Sequence, residues 1–300
     1  MKSIINDYRC DYNSKKEIIN GLLAEFPFLK KECIGRSVLG KNITALKVGD
    51  GPKKILFCGG FHGSEHLTSV ILLKFLEEFL FSFKNRSGLK GVNAAISLKE
   101  RSLVVIPCVN PDGCDISING NINTEPFSSR IKKLAAGDYT HWNANARGVD
   151  INHNFPADWD KIHKLEQESG IFGFAPKRFG GEKAASEPET WALMDYCKKE
   201  NFRHALAFHS QGEVIYWDFK NLNVKNSRRM AEIMSAVSGY KIETPEPIAD
   251  GGGFKDWFIN EFSRPAFTIE LGKGENPLPE NEADEIYEKV KEMLMLSLIM

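Results

Sequence analysis

His62 and Glu65 stand three residues apart, where an apolar run closed by Gly59-Gly60 gives way to a helical pattern. Zinc accepts imidazole nitrogen and carboxylate oxygen, and a catalytic zinc takes three protein ligands and keeps one position open. His-x-x-Glu alone arises by chance in many chains, and by itself it reads better as a helix-capping carboxylate beside an unrelated histidine. His209 closes the apolar run HALAF and is a plausible third ligand at a strand end. Glu270 lies inside AFTIEL, between Ile269 and Leu271. An ionised carboxylate is costly to bury unless a cation or metal compensates it. Beside a metal-activated water it would take the proton and later deliver it to a leaving amine. The bland alternative is an outward-facing glutamate on an edge strand. Between these points runs Asn145-Ala-Arg147-Gly-Val-Asp150-Ile-Asn152-His153-Asn154-Phe155-Pro156, which can offer a carboxylate, amides and a guanidinium to a cleft.

The elements that must position these groups follow from periodicity. Residues 42 to 48 read as a strand, and 54 to 60 and 102 to 113 as strands buried on both faces, the latter ended by an Asn-Pro-Asp-Gly turn. Ser64 to Lys84 has helical spacing. Residues 114 to 147 show little periodicity and are expected to be a long loop. Ser186 and Glu189 form a capping-box pattern at the start of a helix. Runs at 204 to 210, 213 to 217 and 266 to 271 read as strands. Helices are expected over 224 to 238, 254 to 262 and 281 to 300. In 266 to 271, alternation puts Phe267 and Ile269 on one face and Thr268 and Glu270 on the other. This order predicts an α/β fold: a mixed, largely parallel twisted sheet with helices on both faces, and chemistry at the strand ends.

Taken together, and in this order along the chain, GGFHGSE, VNPDG, GVDINHNFP, the strand ending His209-Ser210, GGGFKDWF and FTIEL resemble the metallocarboxypeptidase superfamily. The resemblance runs from about Ile34 to about Pro279. It implies one zinc per chain held by His62, Glu65 and His209, with Asp150 orienting His62. Glu270 would be the general base and acid, and Asn152 would help bind a substrate carboxylate. Arg147 is the candidate for polarising the scissile carbonyl, although the family's arginine sits beside the tryptophan and here Trp142 is followed by Asn143. The bland alternative for Arg147 is an ion pair with Asp150.

Two positions depart from the family pattern. The arginine that clamps a peptide's terminal carboxylate is replaced by His153, which cannot form the bidentate fork. The family's tyrosine upstream of Asp256-Trp257 is matched by Ile248, and Tyr240 is the nearest other phenol upstream. The segments INHNFP, HSQGEVIYW and GGGFKDWFINEFSRPAFTIELGKGENPLP resemble the bacterial γ-D-glutamyl-L-diamino acid (meso-diaminopimelate) peptidases, which cut cell-wall peptides. That branch implies hydrolysis of the amide between the γ-carboxyl of D-Glu and diaminopimelate. His153 would then belong to a polar pocket for the diamino acid, with Gln211 and Glu213 as candidates for contacting its amine. Alternative readings are a conventional carboxypeptidase of altered specificity, a deacylase of N-acyl amino acids, and a non-catalytic muropeptide-binding protein on the same scaffold.

Composition is compatible with this and excludes other classes. The chain has 300 residues, 42% hydrophobic and 26% charged, enough for one large core. Residues 34 to 300 are expected to form the peptidase domain, with 1 to 33 an extension packed on or leading into it. A net charge of -1 without a basic block argues against nucleic acid as partner, leaving a peptide or muropeptide. No run approaches the roughly 20 apolar residues of a membrane span. The N-terminus lacks the apolar core of a secretory signal, so a cytoplasmic protein is expected, or one released by another route. The six cysteines contain no CxxC pair and are expected to be free thiols.

Overall fold

A strand without polar alternation, such as KKILFC, needs apolar cover on both sides. In the computed structural model, which describes residues 3–5 and 8–300, it receives that cover. Met1, Lys2, Asn6 and Asp7, part of the expected extension, lie outside the described residues. The strands are β1 (Lys30–Arg36), β2 (Asn42–Val48), β3 (Lys53–Cys58), β4 (Gly88–Leu89), β5 (Val92–Asn93), β6 (Arg101–Ile106), β7 (His204–Ser210), β8 (Val214–Tyr216), β9 (Lys241–Ile242) and β10 (Ala266–Leu271). The α-helices are α1 (Tyr12–Glu25), α2 (Leu67–Lys84), α3 (Ala94–Ser97), α4 (Pro111–Asn119), α5 (Ser128–Ala135), α6 (Trp159–Glu168), α7 (Pro188–Glu200), α8 (Ser227–Ser238), α9 (Phe254–Phe262) and α10 (Ala283–Ser297).

Eight strands form one sheet in the order β1-β2-β6-β3-β7-β10-β8-β9. Its centre, β6-β3-β7-β10, is parallel, and antiparallel pairs join β1 to β2, β2 to β6, and β10 to β8. Alternation sorts β3 cleanly. Ile55 and Phe57 join α1, α2, α8 and α10 in the larger core, while Leu56 and Cys58 join α7 and α9 on the other face. Helix α1 sends Ile18, Ile19 and Leu22 into that larger core, and β1 pairs with β2 along its length. β10 lies between β7 and β8, so Glu270 is not on an edge strand. Phe267 and Ile269 face the larger core, and Glu270 takes the opposite face, as alternation requires.

Three local expectations are corrected. Residues 114 to 147 are not one long loop: they carry most of α4 and all of α5. These helices close over a separate small core of Ile116, Ile131, Ala135, Trp142, Ala144 and Ala146. The Asn-Pro-Asp-Gly segment does not simply turn. Asn110 caps α4 by accepting from Gly113 N, with Pro111 at the first helical position. Ser186 does not cap α7, which begins at Pro188 after Glu187, and the Glu189 carboxylate instead accepts from Val38 N at 3.0 Å. All six cysteines are free, with Cys108 and Cys114 sulfurs 3.5 Å apart. Among the described residues no helix is long and apolar enough to cross a membrane.

The loop after β3 passes hard against α4 and the 142–144 segment. A Cβ on Gly63 would stand 2.2 Å from the Gly113 carbonyl oxygen and 2.4 Å from that of Trp142. Both contacts are backbone and cannot swing aside. Gly63→Ala is therefore expected to destabilise the fold by about 1–3 kcal/mol and to lower zinc content at equal protein concentration. Calorimetry with metal analysis checks this, and an unchanged melting temperature and zinc content would show that the loop has room to move.

Candidate metal centre and cleft

The carboxyl ends of β3, β7 and β10 lie side by side, where open α/β sheets place their ligands. His62 precedes a 3-10 turn, Gly63–Glu65, that leads into α2. His209 is the penultimate residue of β7 and is in register with Glu270 on β10. One ligand atom from each of His62, Glu65 and His209 lies within 4.8 Å of the others. The Glu65 carboxylate is the bridge: Oε1 is 2.8 Å from His62 Nδ1, and Oε2 is 3.0 Å from His209 Nδ1. Ser210 N also donates to Oε2 at 3.3 Å. Phe61 stacks on His209, with ring centroids 4.9 Å apart and planes inclined by 22°.

Two imidazole nitrogens turned toward one buried carboxylate form the donor set that Zn2+ accepts. His62 Nε2 is 3.0 Å from Asp150 Oδ1. A partner of this kind fixes which nitrogen faces the metal. Asp150 is itself buried and held by Asn152 N at 3.1 Å and Arg178 N at 2.9 Å.

The charges are strongly interdependent. Burial opposes ionisation of Glu65, but His62 and His209 outweigh it and bring its pKa down to about 2. Burial likewise works against the charged Asp150, and the His62 charge and hydrogen bond overcome it and hold the carboxyl far below its usual range. His62, half-buried between two carboxylates, is raised well above an ordinary histidine because Asp150 and Glu65 outweigh desolvation. Burial lowers His209. Glu270 is pushed well up, first by desolvation and then by the negative charge of Glu65. Without a metal, negative charge is therefore in excess on this side of the centre.

The remaining predicted residues are placed as follows. Asn152 uses its side-chain oxygen to accept from Phe254 N at 3.0 Å, which leaves its amide nitrogen available. His153 is nearly buried and gives Nδ1 to Glu166 at 2.9 Å. Gln211 is exposed. Glu213 is engaged by Lys273 at 3.0 Å and by Lys289. Arg147 is not brought to the histidine cluster. Its Nη1 is 3.3 Å from Glu187 Oε2, and it does not pair with Asp150. It lines a surface cleft of about 590 Å³ beside Arg36 and Trp191. Ile248 lies in a short 3-10 turn, and the Tyr240 hydroxyl accepts from Gly272 N at 3.3 Å.

Sequence reading missed four contributors. Asn110, fully buried, donates to the carbonyls of Phe61, Asn143 and Ala144 and so binds the His62 loop to the 143–144 segment. Asn143 accepts from Ser64 Oγ at 2.5 Å, leaving its amide nitrogen as a donor beside the loop. Glu166, fully buried, collects His153, His163 and Gly180 N. Tyr216 pairs across from Thr268 and so shares the face of Glu270. Burial, with the Glu270 charge, lifts its phenol to about 12. Asn110 carried a signal in the sequence, as the residue before Pro-Asp-Gly, and so did Asn143, which follows Trp142 where the resembling family has its arginine.

The chain resembles known proteins along most of its length. The family model for zinc carboxypeptidases matches residues 16–293. A γ-D-glutamyl-L-diamino acid endopeptidase 1 from Lysinibacillus sphaericus is 38% identical over 284 residues, which are 93% of this chain and 69% of that protein. The uncharacterized protein YqgT of Bacillus subtilis (strain 168) is 33% identical over 96% of this chain and 77% of its own length. Among solved structures, thrombin-activatable fibrinolysis inhibitor superposes with a TM-score of 0.77 at 18% identity, covering 97% of this chain and 74% of that one.

Asp150→Asn is expected to weaken zinc binding by about 10- to 100-fold while leaving the far-ultraviolet spectrum unchanged. Competition with a chromogenic chelator measures this, and an unaltered affinity would reduce the His62–Asp150 contact to a packing feature.

Proposed function

The chain belongs to the zinc carboxypeptidase family, and from that premise we propose that it hydrolyses the amide between the γ-carboxyl of D-glutamate and meso-diaminopimelate in bacterial wall peptides. The observation that carries the substrate reading is the 38% identity, over 93% of the chain, to an endopeptidase named for that bond. The cleft is compatible with it. The position of the family's carboxylate clamp holds His153, whose ring is drawn onto Glu166, so a conventional C-terminal carboxylate would not find a guanidinium there.

In this reading His62, Glu65 and His209 hold one Zn2+, and Asp150 keeps the His62 ring in place. The bound ion would supply Lewis-acid activation of the water and of the scissile carbonyl. Glu270, on the strand beside His209, accepts the proton of the attacking water and returns it to the leaving amine. Phe61 stacks on His209 and is backed by Phe254, which makes that side of the cluster apolar. The free amide nitrogens of Asn143 and Asn152 are donors for the scissile carbonyl and a substrate carboxylate. Arg147, engaged by Glu187, is left out of this scheme. Gln211, exposed just beyond His209, remains a candidate for contacting the diamino acid.

The test is mass spectrometry of L-Ala-γ-D-Glu-meso-diaminopimelate incubated with zinc-loaded protein and with zinc-loaded Glu270→Gln. Wild type is expected to release diaminopimelate, and the variant to be slower by at least about 100-fold with zinc still bound. Cleavage of a blocked α-linked dipeptide in place of the wall peptide would establish a conventional carboxypeptidase. Binding of the wall peptide without turnover of either substrate would establish a binding protein.

A further inference from the structure

The proposed substrate is strongly anionic, and the cleft around the metal ligands is too. Glu65, Asp150 and Glu270 are carboxylates, and the two cationic candidates in the sequence, Arg147 and His153, are engaged by Glu187 and Glu166. A γ-linked D-glutamyl residue keeps its α-carboxylate free, a few bonds from the scissile carbonyl. An α-linked peptide has a carboxylate at that distance only when the residue there is itself glutamate. Recognition of the linkage therefore calls for a cation at the mouth of the site.

Resting on the substrate reading above, we propose that Arg178 is that cation: an anion subsite that takes the free α-carboxylate of the γ-D-glutamyl residue. Three observations converge on it. First, the backbone of Arg178 is built into the centre. Its N–H donates to Asp150 Oδ2 at 2.9 Å, and the other oxygen of the same carboxylate holds His62. The neighbouring residues run along the same segment of the cleft, Phe179 O accepting from Asp150 N at 2.7 Å and Pro176 O from Asn143 N and Ala144 N at 2.9 Å each. The Arg178 backbone is thus tied to the His62 ring through a single carboxylate, which places the residue at the wall of the site.

Second, the guanidinium is free. Arg178 is exposed, and among the described residues no hydrogen bond, ion pair or ring contact engages its side chain. Arg130, also on this side of the molecule, differs in both respects: it lies over Phe174 at 4.1 Å and donates to the Arg147 carbonyl at 3.4 Å. Third, Arg178 adopts φ +66°, the left-handed region where glycine or asparagine is the default residue. Backbone strain of this kind concentrates where a side chain is held for use. The planar fork of arginine matches a carboxylate through two parallel hydrogen bonds, which a lysine cannot do.

The subsite predicts a specific chemical discrimination. Two substrates suffice: L-Ala-γ-D-Glu-meso-diaminopimelate, and its analogue in which only the D-glutamyl α-carboxylate is converted to a carboxamide. Zinc-loaded wild type is expected to favour the carboxylate by about 10- to 100-fold in kcat/KM, the range of one charge-assisted contact. Arg178→Gln should reduce that ratio to about one by losing rate on the carboxylate substrate, with kcat/KM on the carboxamide and zinc content unchanged. Arg178→Lys should keep part of the preference. Lys177→Gln, which removes the adjacent exposed charge, should leave the ratio as in wild type. A preference that survives Arg178→Gln, or its absence in wild type, overturns the subsite while the substrate reading stands. Failure of wild type to cleave either compound overturns both.

Discussion

A carboxylate out of water must be answered by positive charge or by hydrogen bonds, and the core of this molecule is organised around that constraint. Glu65 is buried at the end of the turn that leads into α2, with an imidazole on each oxygen. Asp150 is buried behind one of those imidazoles, and Glu270 faces the same space from the next strand but one. Two histidines cannot neutralise three carboxylates. A divalent cation held by His62, Glu65 and His209 would offset that imbalance and favour ionisation of Glu270. The donor set and the electrostatics thus require the same thing.

The sheet supplies the precision. His209 and Glu270 are neighbours because β7 and β10 pair in parallel and in register, so their separation is fixed by ladder hydrogen bonds. His62 and Glu65 are held from a different direction. Asn110 caps α4 with its oxygen and, with its nitrogen, grips the carbonyls of Phe61, Asn143 and Ala144. Gly63 is small enough to let that loop lie on α4 and Trp142. The small core under α4 and α5 accordingly serves the metal loop, which explains why a segment so distant from the ligands in sequence is ordered.

Much of this was legible before the structure. The parallel centre of the sheet follows from apolar runs such as KILFC and HALAF, and the gathering of His62, Glu65 and His209 from the family resemblance that the order of short motifs carries. What was not legible has physical reasons. Helices α4 and α5 are short, and their stability comes from burying Ile116 and Ile131 against Trp142, a tertiary contact that leaves no local period. Ser186 has the spacing of a helix cap, yet its hydroxyl donates to Glu187 and Glu189 is taken up by Val38, so a long-range hydrogen bond overrode the local motif. Glu166 sits on an amphipathic helix and reads as a surface acid. Only the fold shows it buried against His153 and Gly180. Arg147 and Arg178 are indistinguishable by residue type, and it is the partners they find that separate them.

X-ray absorption at the zinc edge, on protein loaded with one equivalent, tests whether His62, Glu65 and His209 form a single zinc centre of mixed imidazole and carboxylate ligands. A first shell of light atoms at about 2.0–2.2 Å is expected, with outer-shell scattering from two imidazoles that becomes one in His209→Ala. Sulfur at about 2.3 Å, implicating Cys108 and Cys114, or an imidazole signal indifferent to His209, would contradict it.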